Sequence, residues 1–274
     1  MDILYNLKRE AFRRGLSPRT IKTYSQCVRQ FMDFCKKDLK KATKKDVREY
    51  IDNLIDKGAC GNTLNVHINA VKFALQEILN KRVMLKIRYS KTPKALPTVL
   101  SKNEVINLIS KIENPKHRLV IELIYSAGLR VSEAVTLKAE DLDFERNIGW
   151  VRHGKGNKDR PFIIAECLAE KLRVQTNVAK PYIFPGRNGH LTPRSVQEII
   201  KLAAKRAGIK KNVHPHTLRH SFATHLIENG HDVVTVQPLL GHSSAETTLA
   251  YVHIVNPTKI KVKSPYDNLK NENI

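Results

Sequence analysis

The chain has 274 residues, enough for two domains each with its own core, and 48 Lys and Arg against 26 Asp and Glu leave a formal net charge of +22. That excess argues against cationic ligands and for a polyanionic partner, because each Lys or Arg placed on a phosphate releases counterions. Residues 1–100 carry 22 basic and 9 acidic side chains, residues 101–274 carry 26 and 17, so the shorter N-terminal part is the better suited to a phosphate backbone. Cys27, Cys35, Cys60 and Cys167 form no CxxC pair and no zinc spacing, and are expected as buried thiols in a reducing compartment. The opening MDILYNLKRE lacks a signal peptide's apolar core. The longest apolar run, Leu119–Leu129, is broken by Glu122 and too short for a bilayer. A soluble, cytoplasmic protein is expected.

In chain order, residues 2–14 read as a short basic helix ended by Gly15. Ser17 then offers an N-cap and Pro18 a first helical position. Ile21, Tyr24, Val28, Phe31 and Phe34 recur at spacings of three and four and predict one inward face. Thr43 and Asp46 form a weak capping box before Val47, Tyr50, Ile51 and Leu54. A further helix is predicted from Asn62 to Leu79. The region 1–88 is therefore expected to be an all-helical, basic, DNA-binding bundle. Residues 89–98, with Pro93 and Pro97, read as an extended linker.

The remainder, 99–274, is expected to be a second domain that mixes helices with a small antiparallel sheet. Ser101 and Glu104 make a full capping box. A helix His117–Ala127 is closed by Gly128, and Arg130 then stands at a helix start, where backbone N–H groups and the helix dipole favour anions. Segments 147–152 and 159–164 alternate as strands, and the tip between them, His153-Gly154-Lys155-Gly156-Asn157-Lys158, presents lysines between glycines. Thr192-Pro193 opens a helix that ends at Gly208. Another helix is predicted from His216 to Asn229, with His216 and Arg219 on one face near its N-terminus. Gly230 ends it and Asp232 can cap the next, which runs toward Leu240-Gly241-His242. Pro238 falls inside that last helix, where it removes a donor. Tyr251 follows nine residues after His242.

Arg130, Lys155, His216, Arg219, His242 and Tyr251 thus stand in separate segments. Phosphoryl transfer needs charge on the non-bridging oxygens, a nucleophile and a proton for the leaving oxygen. Two arginines can hold a phosphodiester bidentately without a metal, and a tyrosine hydroxyl can attack phosphorus to give a covalent intermediate.

The elements GLRVSE at 128–133, HGKGNKDR at 153–160, HPHTLRHSFATHL at 214–226 and LLGHSSAETTLAYVHI at 239–254 resemble the tyrosine recombinases of the phage integrase family, most of all the Xer type and its archaeal relatives. The segment SPRTIKTYSQCVRQFMDFC resembles that family's core-binding, SAM-like domain, and SPYDNL at 264–269 its tail. The resemblance implies a helical core-binding domain joined to an α+β catalytic domain. It implies Arg130 and Arg219 as phosphate clamp, with Glu133 supporting Arg130. Lys155 (or Lys158) would be general acid, His216 and His242 proton-transfer and phosphate-positioning groups, and Tyr251 the nucleophile. It implies no cofactor and no metal. The partners would be double-stranded DNA sites and a homotetramer on two of them, with the tail, 257–274, docking on a neighbouring subunit. Resolution of chromosome or plasmid dimers, integration of a mobile element, and relaxation in the manner of a type IB topoisomerase all share this chemistry. An architectural DNA-binding protein would not need Tyr251.

Overall fold

The computed structural model describes residues 2–81, 96–152, 159–179, 181–187 and 189–240. The chain divides into two compact units, 1–95 and 96–274. The described part of the first is helical: α1 (Ile3–Arg13), α2 (Pro18–Cys35), α3 (Lys44–Asp56) and α4 (Gly61–Phe73), with a π-helical turn Ala74–Ile78 continuing α4.

Local chemistry sets these boundaries. Asp2 Oδ1 accepts from the N–H groups of Leu4 and Tyr5, at 2.9 and 3.1 Å. Ser17 Oγ accepts from Thr20 at 3.1 Å, with Pro18 supplying the first helical φ. The capping box expected at Thr43 and Asp46 is made in both directions. Leu7, Val28, Phe31, Val47, Tyr50, Ile68, Val71 and Leu75 form the core. Its edge departs from the predicted stripe. On α2, Ser25 and Cys27 are buried, Tyr24 and Ile21 are half-buried, and Phe34 is 37% exposed. The stripe is centred on Val28 and Phe31. Phe34 still lays its ring against Tyr50, with centroids 5.4 Å apart.

The second unit begins with α5 (Lys102–Ser110), α6 (Pro115–Ala127) and the short α7 (Val131–Val135). Three strands follow, β1 (Leu142–Asp143), β2 (Ile148–Val151) and β3 (Arg160–Ile163), in one antiparallel sheet ordered as in sequence. Val151 pairs with Arg160 and Gly149 with Phe162, so the β2–β3 stem is in register up to the base of the 153–158 tip. Next come α8 (Glu166–Val178), a two-residue hairpin of β4 (Pro185–Gly186) with β5 (Gly189–His190), α9 (Pro193–Arg206), α10 (Pro215–Glu228) and α11 (Val233–Leu240). The mainly helical class with a small antiparallel sheet is as the sequence implied. The sequence reading passed over β1 and α8, although Leu168 and Leu172, four apart, are the buried positions of α8.

Leu119, Val120, Ile121, Leu123 and Ile124 of α6 lie in the core, walled by Val135, Phe162, Leu172, Phe184, Ile200 and Leu218 from the elements around it. Three of the four cysteines correct the expectation of buried thiols: Cys35 is half-buried, and Cys60 and Cys167 are exposed. Cys60 caps α4 and Cys167 lies on the solvent side of α8. Among the described residues, no helix is long and apolar enough to cross a membrane.

Gly128 closes α6 at φ +60°, a left-handed backbone that side chains other than glycine rarely adopt. A Cβ there would sit 2.4 Å from the Phe222 ring of α10. Backbone strain and overpacking add, so Gly128→Ala is expected to cost about 3 kcal/mol. Urea denaturation of the variant against the parent measures that loss. Gly15→Ala, with open space at its Cβ, carries the backbone term alone and is expected to cost about half as much.

Candidate active site

Glu133 is the centre of the site. It lies in the first turn of α7, and its side chain is 6% exposed. Its carboxylate accepts the backbone N–H of Arg130 at 2.7 Å on Oε2 and the Arg130 guanidinium at 2.7 Å on Oε1. Arg160 Nη2 donates to Oε2 at 2.6 Å, and Arg219 Nη1 stands 4.0 Å from the same oxygen. Burial by itself would raise the Glu133 carboxyl. The Arg160 charge and the hydrogen bonds from Arg130 outweigh it and hold the group below the ordinary carboxylate value. One anion thus faces three guanidiniums, and the locus keeps an excess of positive charge. The sequence predicted a contribution from the helix start beside the arginines. In the structure α7 is a single short turn whose capping N–H is already taken by Glu133, so the guanidiniums supply the field.

The three arginines differ in reach. Arg130, held extended as the N-cap of α7, has a side chain 21% exposed. Arg219 is nearly sealed, donating through Nη1 to the Gly128 carbonyl at 2.6 Å and through Nη2 to the Leu240 carbonyl. Arg160, also buried, donates through Nη1 to the Leu239 carbonyl. Its Nε has no partner among the described residues. The last two carbonyls of α11 therefore end on buried guanidiniums. Pro238 lies inside α11 and is exposed, and the helix runs through it to Leu240.

His214, His216, His220 and His225 have distinct surroundings along α10. His214 caps it: Nδ1 accepts the Thr217 N–H at 3.3 Å, and the Thr217 hydroxyl accepts the His214 N–H. His216 is exposed in the first turn. Partial loss of water first, then the charges of His214, Arg219 and Arg130, hold its imidazole below the ordinary histidine value, against a weaker pull from Glu133. His220 stands behind it, rings 6.3 Å apart, and is lowered to about 4 by burial and then by His216, His214 and Arg219. His225 is buried, with Nδ1 2.8 Å from the Tyr125 hydroxyl.

Of the residues predicted from sequence, Arg130, His216 and Arg219 come together around Glu133. Lys155, Lys158, His242, Tyr251 and the tail lie outside the described residues. The stem under Lys155 is described: Arg152 donates to Asp159 at 2.9 Å across the base of the tip and stacks over Trp150. Sequence reasoning missed Arg160 as a functional candidate. The available signal was its phase, since it alternates with Pro161 and Ile163 and shares the inward side with Phe162. A charge in step with a buried phenylalanine requires a buried counter-charge.

The model of the phage integrase family matches residues 98–256, and that of the phage integrase N-terminal SAM-like domain matches residues 3–84. A tyrosine recombinase of Thermosipho africanus is 34% identical over 261 residues, spanning 90% of this chain and 92% of the relative. Tyrosine recombinase XerA of Pyrococcus horikoshii is 35% identical over 261 residues, spanning 92% and 89%. Among solved structures, XerA recombinase aligns over 100% of this chain and 98% of its own with a TM-score of 0.55 and 29% identity. XerH bound to palindromic difH substrate in a post-cleavage complex aligns over 93% and 82% with a TM-score of 0.73; at 24% identity it speaks for the fold alone.

His220 sets a pH limit on stability. It stays neutral in the folded chain down to about pH 4, whereas in the unfolded chain it binds a proton near 6.5. The unfolded state therefore gains protons first, and stability falls as pH drops from 6.5 to 4, by at most about 3 kcal/mol from this residue. Urea midpoints across that range should decline in the parent and decline less in His220→Asn. An equal slope in both would remove His220 as the cause.

Proposed function

The chain belongs to the phage integrase family of tyrosine recombinases, enzymes that cut and rejoin DNA at specific sites through a covalent intermediate, and we propose that Arg130, Lys155, His216, Arg219, His242 and Tyr251 carry that chemistry here. The observation that carries the proposal is the excess of guanidinium charge around Glu133, a metal-free seat for one phosphodiester. Arg130 meets the phosphate first, being the most exposed of the three. Arg219 neutralises it from behind.

The Tyr251 oxygen attacks phosphorus and gives up its proton to a neutral imidazole. His216 is suited to accept it, because its lowered proton affinity keeps it neutral at pH 7. The bond to the 5′ oxygen breaks, and Lys155 supplies that oxygen's proton. The product is a 3′-phosphotyrosyl link and a free 5′ hydroxyl, with no water consumed. Attack by the 5′ hydroxyl of a partner strand reverses the steps and completes the exchange. His242 is assigned to the phosphate as a hydrogen-bond donor.

The substrate is double-stranded DNA. The N-terminal unit grips the backbone with its dense positive charge, and four subunits assemble on two sites with tails docked on neighbours. Such an enzyme works in the cytoplasm, with the nucleoid. Resolution of chromosome or plasmid dimers is the proposed duty, supported by likeness to recombinases named XerA over most of the chain.

The test uses a randomised pool of nicked duplexes that lose the cleaved end, incubated with the full chain in EDTA. A covalent protein–DNA band is expected on a denaturing gel, and sequencing its DNA gives the site. Tyr251→Phe should abolish the band and Tyr266→Phe should not. Arg130→Ala should slow its formation by about 100-fold or more, the scale of losing one preorganised donor to the transferring group. A band that requires magnesium, or one that persists in Tyr251→Phe, would refute the assignment. Plasmids carrying two recovered sites should then resolve into two circles, and plasmids without them should not be relaxed.

A further inference from the structure

Arg160 brings a full charge into the core where strand alternation calls for an apolar side chain. Pro161 and Ile163 face out, while Arg160 and Phe162 face in. If packing alone were at stake, an apolar residue of similar volume would do as well or better, since burying a guanidinium costs several kcal/mol before its partners offset it. Burial accordingly depresses its own proton affinity, against the opposing pull of Glu133.

Arg160 joins two groups by direct hydrogen bonds, whereas Arg219 reaches the carboxylate only at 4.0 Å. Nη2 is 2.6 Å from Glu133 Oε2, on the carboxylate that also holds both the backbone and the guanidinium of Arg130. Nη1 donates to the Leu239 carbonyl at the C-terminal end of α11. Arg219 takes the next carbonyl, Leu240. The chain then runs on through Gly241 to His242 and, nine residues later, Tyr251. Pro238 lies one residue before Leu239, inside α11, and supplies no helical N–H.

We infer that Arg160 is a positioning residue, tying the end of α11, from which the nucleophile-bearing segment departs, to the carboxylate that orients Arg130. This rests on the reading of Arg130 and Arg219 as clamp and Tyr251 as nucleophile. A planar guanidinium can make both links at fixed angles; an ammonium at the same place can make one well.

Two measurements on the full-length protein test the inference, one of them without DNA. By hydrogen exchange, α11 amides in Arg160→Met should exchange at least about 10-fold faster than in the parent, while those of α5 keep their rates. With the duplex recovered above, at saturating concentration, covalent-complex formation in Arg160→Met should slow by about 100-fold, the effect of a misplacement near 1 Å, with DNA affinity within about threefold of the parent. Arg160→Lys should recover part of both, and if Arg160→Met does not fold, Arg160→Lys must still show faster α11 exchange and slower cleavage. Unchanged α11 exchange would overturn the inference, as would a cleavage rate that falls only in step with DNA affinity. Failure of the parent to form a Tyr251-dependent bond would instead sink the catalytic reading, while the exchange result still decides whether Arg160 holds α11.

Discussion

A buried carboxylate that must be neutralised is the constraint on which the second unit depends. Glu133 cannot sit in a core without partners, and the partners come from three places: its own helix start, a strand and a distant helix. Satisfying it forces α7, β3 and α10 to converge. The convergence in turn fixes where Arg130 points, closes Arg219 against the Gly128 and Leu240 carbonyls, and anchors the end of α11. The same contacts that neutralise Glu133 leave the locus positively charged, which is what a phosphate site requires.

The two units are held by different balances of force. The described core of the first is aliphatic and aromatic, with one buried polar pair, Tyr50 and His67, whose hydroxyl and Nδ1 are 2.8 Å apart. Such a helical unit can keep its charges on the outside, free for a backbone of phosphates. The second unit has a larger apolar core and, beside it, a polar knot of Glu133, Arg160 and Arg219. Breaking one partner of such a knot is costly because the remaining charge stays buried. Neutralisation of Glu133 and stability of the fold are therefore the same property.

The histidines of α10 show why residue type alone does not assign a role. All lie within twelve positions, yet one caps the helix, one stands exposed beside the arginines, one is kept neutral mainly by burial and one bonds a tyrosine. The differences follow from His214 and His216 lying on the one exposed side of the first turn, while the middle of α10 is buried on most sides. Spacing predicts Phe222, Ala223, Leu226 and Ile227 as its inward stripe; Phe222 and Ala223 are buried, Leu226 and Ile227 half-buried, and burial extends beyond the stripe to Leu218, Ser221 and Thr224.

Helix starts were legible in the sequence because caps are local: Ser17, Thr43, Ser101 and Thr192 act on N–H groups two or three residues away. The ordered motifs that carry the family resemblance were legible too, since chemistry restricts residue type at each position. The helix α8 is hard to read because its large apolar residues fall on two faces, Leu168 and Leu172 inward and Val174 and Val178 exposed. The role of Arg160 was hidden for a different reason. Nothing within a few residues of it states that its partners are Glu133, 27 positions earlier, and Leu239, 79 positions later. The sequence by itself determined the family, the chemistry that family carries and most of the local elements. Only the tertiary structure decided which charges share one carboxylate, because a buried ion's partners are chosen by distance in space, and distance in space is what long-range packing creates.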